Sequence, residues 1–177
     1  MVPAKRTPSR VAAAELHEVT RDHVMITWRN VTIAVFKRET TLGGVRTMQR
    51  VYDEQAAKFP DGVFMVTIVE EGAPMPVVEV RDALAKFLAG GAGRSKMSAV
   101  IHEGVGFRAA AVRAVVTGLA MVAKTPYPHK VFGTLTDAAR WFSLGELPFE
   151  PDEFVAAIVD ARARAWQHPG AASSQGI

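Results

Sequence analysis

Two pairs of adjacent residues bring together side chains that could do chemistry. Glu70-Glu71 follows the apolar run Val63–Val69, and His102-Glu103 follows the apolar run from Met97. A histidine beside carboxylates can bind a metal ion or act as a general base. If both runs are strands of one sheet, the four residues gather at the strands' carboxyl ends, where open α/β sheets place ligands. However, His102 and Glu103 are adjacent at a strand-to-loop step, so their side chains can diverge. No third or fourth fixed ligand accompanies them, as a metal site would need. Solvated loop residues are therefore the first reading, a metal site the second and an acid–base pair the third.

Gly104-Val105-Gly106 comes next, between a strand and a helix start, where backbone N–H groups can cradle an anion. The dinucleotide pattern fails at Ala109, which stands in the third glycine position, and no acid follows about 20 residues on to hold a ribose. A tight structural turn explains these glycines better. The chain has no cysteine and no G-x-S-x-G elbow. Ser95, Ser98 and Ser143 have no base near them in sequence. No catalytic residue, metal ligand set or cofactor is assigned. Met65, Met75 and Met97, with Phe64 and Phe87, can either fill the core or line an apolar pocket, and Pro74-Met75-Pro76 can gate it.

Composition narrows the setting. The 177 residues are 49% hydrophobic and 22% charged, ordinary for a globular domain. The net charge of +3 comes from Lys5, Arg6 and Arg10, and the rest of the chain carries 18 basic and 18 acidic residues. A nucleic-acid binder carries its basic stripe on the folded body, so no nucleic-acid partner is expected. The first residues lack the apolar stretch of a secretory leader. The apolar run 109–123 contains Arg113 and is too short to span a bilayer. A cytoplasmic location is expected, which the absence of cysteine fits.

The elements that position these residues follow from periodicity. His23–Lys37 reads as a hairpin turning at Arg29-Asn30, with a second strand buried on both faces. A helix capped by Thr40 or Thr41 carries Val45, Met48, Tyr52, Ala56 and Phe59 on one side. Val63–Val69 is a central strand, and a helix starting near Pro76 follows it. Then come the strand Met97–His102, a helix over Phe107–Lys124, a short strand Lys130–Phe132, and a helix with Thr134 and Asp137 as its capping box. Alternating units of this kind build a mostly parallel sheet with right-handed crossovers. We expect about five strands, with one antiparallel edge strand from the hairpin.

A further helix opens at Pro151-Asp152-Glu153 and bears the stripe Phe154, Ile158, Ala161 and Ala165. The stripe can fold back on its own sheet, which is the default, or cover a partner such as a second copy. A membrane contact is the weakest option, since Asp152, Glu153 and Asp160 oppose an anionic surface. The expected organisation is a flexible basic segment over 1–20, an α/β domain over 21–146, an appended helix over 147–168 and a disordered tail over 169–177.

The order of elements resembles the STAS superfamily, the fold of the sporulation anti-sigma-factor antagonists, and is most similar to its small bacterial STAS/SEC14-like branch. The likeness lies in the hairpin MITWRNVTIAVFK, in SAVIHEGVGFRAAAVRAVVTGLA and in the closing VFGTLTDAARWF, and it covers about residues 23–145. The resemblance implies a non-catalytic module that binds a protein partner or a small apolar ligand. In the antagonists, a phosphorylatable Ser or Thr opens the helix after the central strand. The matching stretch here, EEGAPMP from Glu70 to Pro76, has no hydroxyl, so the resemblance implies a module without that switch. Three readings remain. The first is a regulatory or protein-interaction module, as a homodimer or with another partner. The second is a carrier of an apolar ligand or lipid, and the third is an enzyme using His102 with Glu70 or Glu103.

Overall fold

The computed structural model describes residues 13–145 and 149–168. Its elements run β1 (Glu15–Val19), β2 (His23–Trp28), β3 (Val31–Phe36), α1 (Leu42–Lys58), β4 (Val63–Val69), α2 (Val78–Gly90), β5 (Ser95–His102), α3 (Gly106–Ala123), β6 (His129–Phe132), α4 (Leu135–Ser143) and α5 (Pro151–Gln167). The strands lie in the sheet in chain order. β3 to β6 are parallel, while β2 runs antiparallel to both β1 and β3. This is the mostly parallel α/β sheet with antiparallel N-terminal strands and an added C-terminal helix that the periodicity implies. No helix among the described residues is long and apolar enough to cross a membrane.

Two details differ from the sequence expectation. The sheet has six strands rather than about five, and the antiparallel strand β2 is internal, because β1 covers its outer side. β1 falls within the stretch expected to be flexible. Its sequence, ELHEV, lacks apolar alternation, yet Leu16 and Val19 pack against the core and polar pairs add to their hold. His17 Nε2 lies 2.7 Å from Thr27 Oγ1, and Glu18 Oε1 lies 2.6 Å from His23 Nε2. A register shift between Leu16 and Glu18 disrupts this outer strand, a common way to blunt an exposed edge. Lys5, Arg6, Arg10 and the expected tail over 169–177 lie outside the described residues.

The hairpin turns through two residues, with Trp28 paired to Val31. Arg29 adopts a positive φ of 51° in that turn. Its guanidinium lies 4.6 Å from the Trp28 ring centroid and 3.2 Å from Glu153 of α5. Thr41 caps α1 by accepting from the Gly44 N–H. Gly44 costs helix propensity but sits where the packing is tight. A Cβ there would stand 3.0 Å from Phe36 Cε1 and 3.1 Å from His23 Nδ1. Half of the expected capping box of α4 is present: the Asp137 N–H donates to the Thr134 hydroxyl at 3.1 Å, and that hydroxyl in turn donates to the Asp137 carboxylate at 2.7 Å.

Strand alternation divides the core into two layers. Ile26, Trp28, Ile33, Phe64, Ile68, Met97 and Ile101 face α4 and α5, where Phe142, Phe154 and Ile158 meet them. Met25, Phe36, Val63 and Met65 face α1 and α2 with Met48, Tyr52 and Phe87. α3 lies beside α2 over β5 and β6. The three crossover helices thus share one face, as crossovers of one hand require. Phe154, Ile158, Ala161 and Ala165 have no exposed surface. The α5 stripe is therefore core of its own domain rather than a contact surface. Trp166, near the end of α5, lies at the surface. It is 40% exposed, with the Lys37 ammonium 4.1 Å from its ring centroid.

Candidate functional site

The expected cluster at the carboxyl ends of β4 and β5 separates into two half-sites. Val69 pairs with His102 in the β4–β5 register, so Glu70 and Glu103 are the next residues out on each strand. Because side chains alternate, His102 leaves one face and the two glutamates leave the other. Arg162 of α5 meets the glutamates. Its guanidinium donates to both Glu103 carboxylate oxygens, at 2.7 and 2.9 Å, and to Glu70 Oε1 at 2.8 Å. Burial opposes the arginine's charge, but hydrogen bonds to Glu103 and Glu70 outweigh it and raise its pKa above the ordinary value. A bidentate pair of this kind neutralises carboxylates and orders them. Neither glutamate is a free base, and neither shares a face with His102.

Glu71 is exposed and lies against Gly104, whose Cβ position is 3.4 Å from Glu71 Cγ. Gly104 and Gly106 take φ values of 137° and 84°, backbone that favours glycine, so they turn the chain from β5 into α3. The helix start after β4 has no hydroxyl cap. Val77 occupies the cap position of α2 with no side-chain hydrogen bond.

The other face of the sheet holds the feature with the clearest binding character. An apolar cavity of about 70 Å³ lies between β3, β4 and β5 and the helices α1, α2 and α3. Met48, Met65, Leu84, Phe87 and Val100 form its sides, Val112, Val115 and Val116 of α3 its cover, and Ala73 to Pro76 its roof. Met65, Met75 and Phe87 line it, as the sequence allows. Phe64 and Met97 do not. They alternate to the opposite layer, where Phe64 packs edge-on against Phe142 at 5.6 Å between centroids. Thr40 and Thr67 are the hydroxyl-bearing residues among those described on its wall, and no charged residue is among them. Met75, in the roof, is 40% exposed.

At the other end of the sheet, the structure supplies a base that sequence proximity did not reveal. Ser98 Oγ lies 2.5 Å from His129 Nδ1 on the neighbouring strand. Ser98 has no exposed surface, while His129 is half-buried at the end of the sheet. Nearby, Tyr127 donates to the Leu88 carbonyl at 2.7 Å and its pKa is pushed up to about 12 by burial. Burial lowers the His129 pKa from 6.5 to about 4. The sign follows from linkage. Below about pH 6.5 the unfolded imidazole takes up a proton that the folded one refuses, so stability present at neutral pH is lost as pH falls toward 4. The shift corresponds to about 3 kcal/mol at most. Denaturant melts at pH 7 and pH 4.5 should show this loss in the native chain and a smaller one in His129→Gln. Equal losses would refute the assignment.

Comparisons of this chain with family models, with curated proteins and with solved structures return no match.

Proposed function

We propose that this chain is a non-catalytic α/β module that holds a small apolar molecule between its sheet and the helices α1 to α3. The observation that carries this reading is the apolar cavity, uncharged along its described lining and roofed by the Pro74-Met75-Pro76 loop. Sheets of this kind place ligands at their carboxyl ends, and this roof stands at the carboxyl end of β4. The resemblance to STAS/SEC14-like modules, which are mostly non-catalytic, supports the same reading. A water needs roughly 10–15 Å³ by this measure. The cavity therefore takes a ring or a short chain, and a whole lipid would need α3 or the roof to move. Toluene, titrated by ligand-observed NMR, should bind the native chain and lose at least 10-fold in affinity in Val112→Phe, which fills the space. If toluene binds neither protein, or both alike, the cavity is packing alone.

A second reading, a STAS-like module working through protein contact, draws support from exposed apolar residues at the same sheet edge. Leu42, Val77, Val78 and Val105 are 42, 58, 56 and 87% exposed, on the loops and helix starts that follow β3, β4 and β5. With no hydroxyl at the start of α2, such contact would lack a phosphate switch there. Sedimentation at rising concentration tests the second-copy version. A lone monomer throughout removes it, and association abolished by Val77→Glu with Val105→Glu sustains it.

A further inference from the structure

We infer that the molecule held in this cavity is uncharged, with a hydrocarbon body and one hydrogen-bonding group seated on the Thr67 hydroxyl. This rests on the binding role proposed above and specifies its chemistry. Thr67 sits mid-strand in β4, between Ala34 of β3 and Val100 of β5. A side chain so placed in a six-stranded sheet is ordinarily fully buried, as Val66 and Ile68 are on the opposite face. Thr67 is only half-buried, because its own face opens on the cavity. Among the described residues its hydroxyl reaches one partner, the sulfur of Met48 at 4.0 Å. A thioether is a weak acceptor, so the hydroxyl proton is poorly used, and no donor among the described residues reaches the oxygen's lone pairs. An under-satisfied hydroxyl in an apolar wall favours a ligand that brings a matching polar group.

The rest of the lining sets the other limits. A carboxylate, phosphate or ammonium entering the cavity would give up its hydration and find no described residue of opposite charge. Fatty-acid anions and phospholipid headgroups are thereby excluded from the interior. A neutral alcohol, phenol or ketone carrying a ring or short alkyl chain fits both the volume and the wall. Thr40, also on the wall, belongs to the segment between β3 and α1 at the sheet's carboxyl edge and lies nearer the opening.

Three probes of similar size separate these terms: toluene, phenol and benzoate, titrated at pH 7 into the native chain and into Thr67→Val, Thr67→Ser and Thr40→Val. Valine keeps the branched shape and removes only the hydroxyl, so the variant should fold, and a thermal melt verifies this. Phenol and toluene should compete for one site, with benzoate at least 100-fold weaker than toluene. The ratio of phenol to toluene affinity should fall about 5-fold in Thr67→Val, the usual worth of one net hydrogen bond. It should persist in Thr67→Ser, which retains a hydroxyl. Benzoate binding within 10-fold of toluene overturns the neutral-ligand inference. A ratio unchanged in Thr67→Val, or lowered only in Thr40→Val, overturns the seat on Thr67. In each of those cases toluene still binds, so the cavity reading stands. Failure of all three probes with the native chain sinks both.

Discussion

Phe154→Ala should destabilise the chain by about 3–5 kcal/mol, the cost of emptying an aromatic site in a closed core. Phe154 is fully buried between the sheet and α4. Its ring stacks on Phe149 at 5.7 Å, meets Phe142 edge-on at 6.0 Å and lies 6.0 Å from Trp28. These contacts join the distant strand β2 to α4, α5 and the segment between them, so the void left by truncation cannot close by a local adjustment. For a chain of this length the melting temperature should drop by roughly 10 °C. Val159→Ala, one helix face away at 55% exposure, should stay within about 0.5 kcal/mol of the native chain. A surface reserved for a partner would behave differently, with Phe154→Ala leaving the isolated chain's stability unchanged and altering only its association. Urea melts of the two variants decide the matter, and a Phe154 effect as small as that of Val159 would contradict the intramolecular packing of α5.

The same stripe shows what a sequence can and cannot reveal. Phe154, Ile158, Ala161 and Ala165 recur at helical spacing, so a buried face was legible. Periodicity does not say which surface buries it. The long apolar runs β3 and β4 were equally legible, because strands buried on both faces leave continuous hydrophobic stretches. β1 was not, because Glu15, His17 and Glu18 give an outer strand without apolar alternation. Its polar partners Thr27 and His23 across the ladder, and the packing of Leu16 and Val19 on the core, emerge only in the fold. The pocket residues show a further rule. Phe64 and Met65 are neighbours in sequence, and a pocket can take only one of them, since a strand sends successive side chains to opposite layers. The same alternation separates His102 from Glu103.

Arg162 could not have been found by pattern, since it stands 59 residues from Glu103 and 92 from Glu70 and has the spacing of an exposed helix position. It nevertheless joins α5 to the carboxyl ends of both β4 and β5. Glu70 begins the loop that roofs the cavity, and Glu103 begins the turn into α3, which covers it. One guanidinium on the far face thus fixes the starting points of both covering segments, without touching the cavity.

Arg162→Met should therefore act twice. Removing one partner of a buried ion pair typically costs about 3–5 kcal/mol. Here the three side chains keep between a fifth and a third of their surface in water, so solvent screening reduces the expected loss to about 2 kcal/mol. Most of that loss is the repulsion and desolvation of two carboxylates left without their cation. Adding Glu70→Gln and Glu103→Gln to Arg162→Met should accordingly recover stability, leaving the triple variant more stable than the single one. Arg162→Lys should recover only part, because an ammonium cannot span both carboxylates as a planar fork does. The second effect is on exchange. With the roof's anchor gone, toluene should leave the cavity faster in Arg162→Met, which NMR line shapes read directly. Thr67 and the apolar wall are untouched, so the phenol-to-toluene ratio should hold. Stability lost with no change in exchange would mean that Arg162 only pins α5, whereas faster exchange restored by the glutamine pair would establish that the ion triad holds the roof closed.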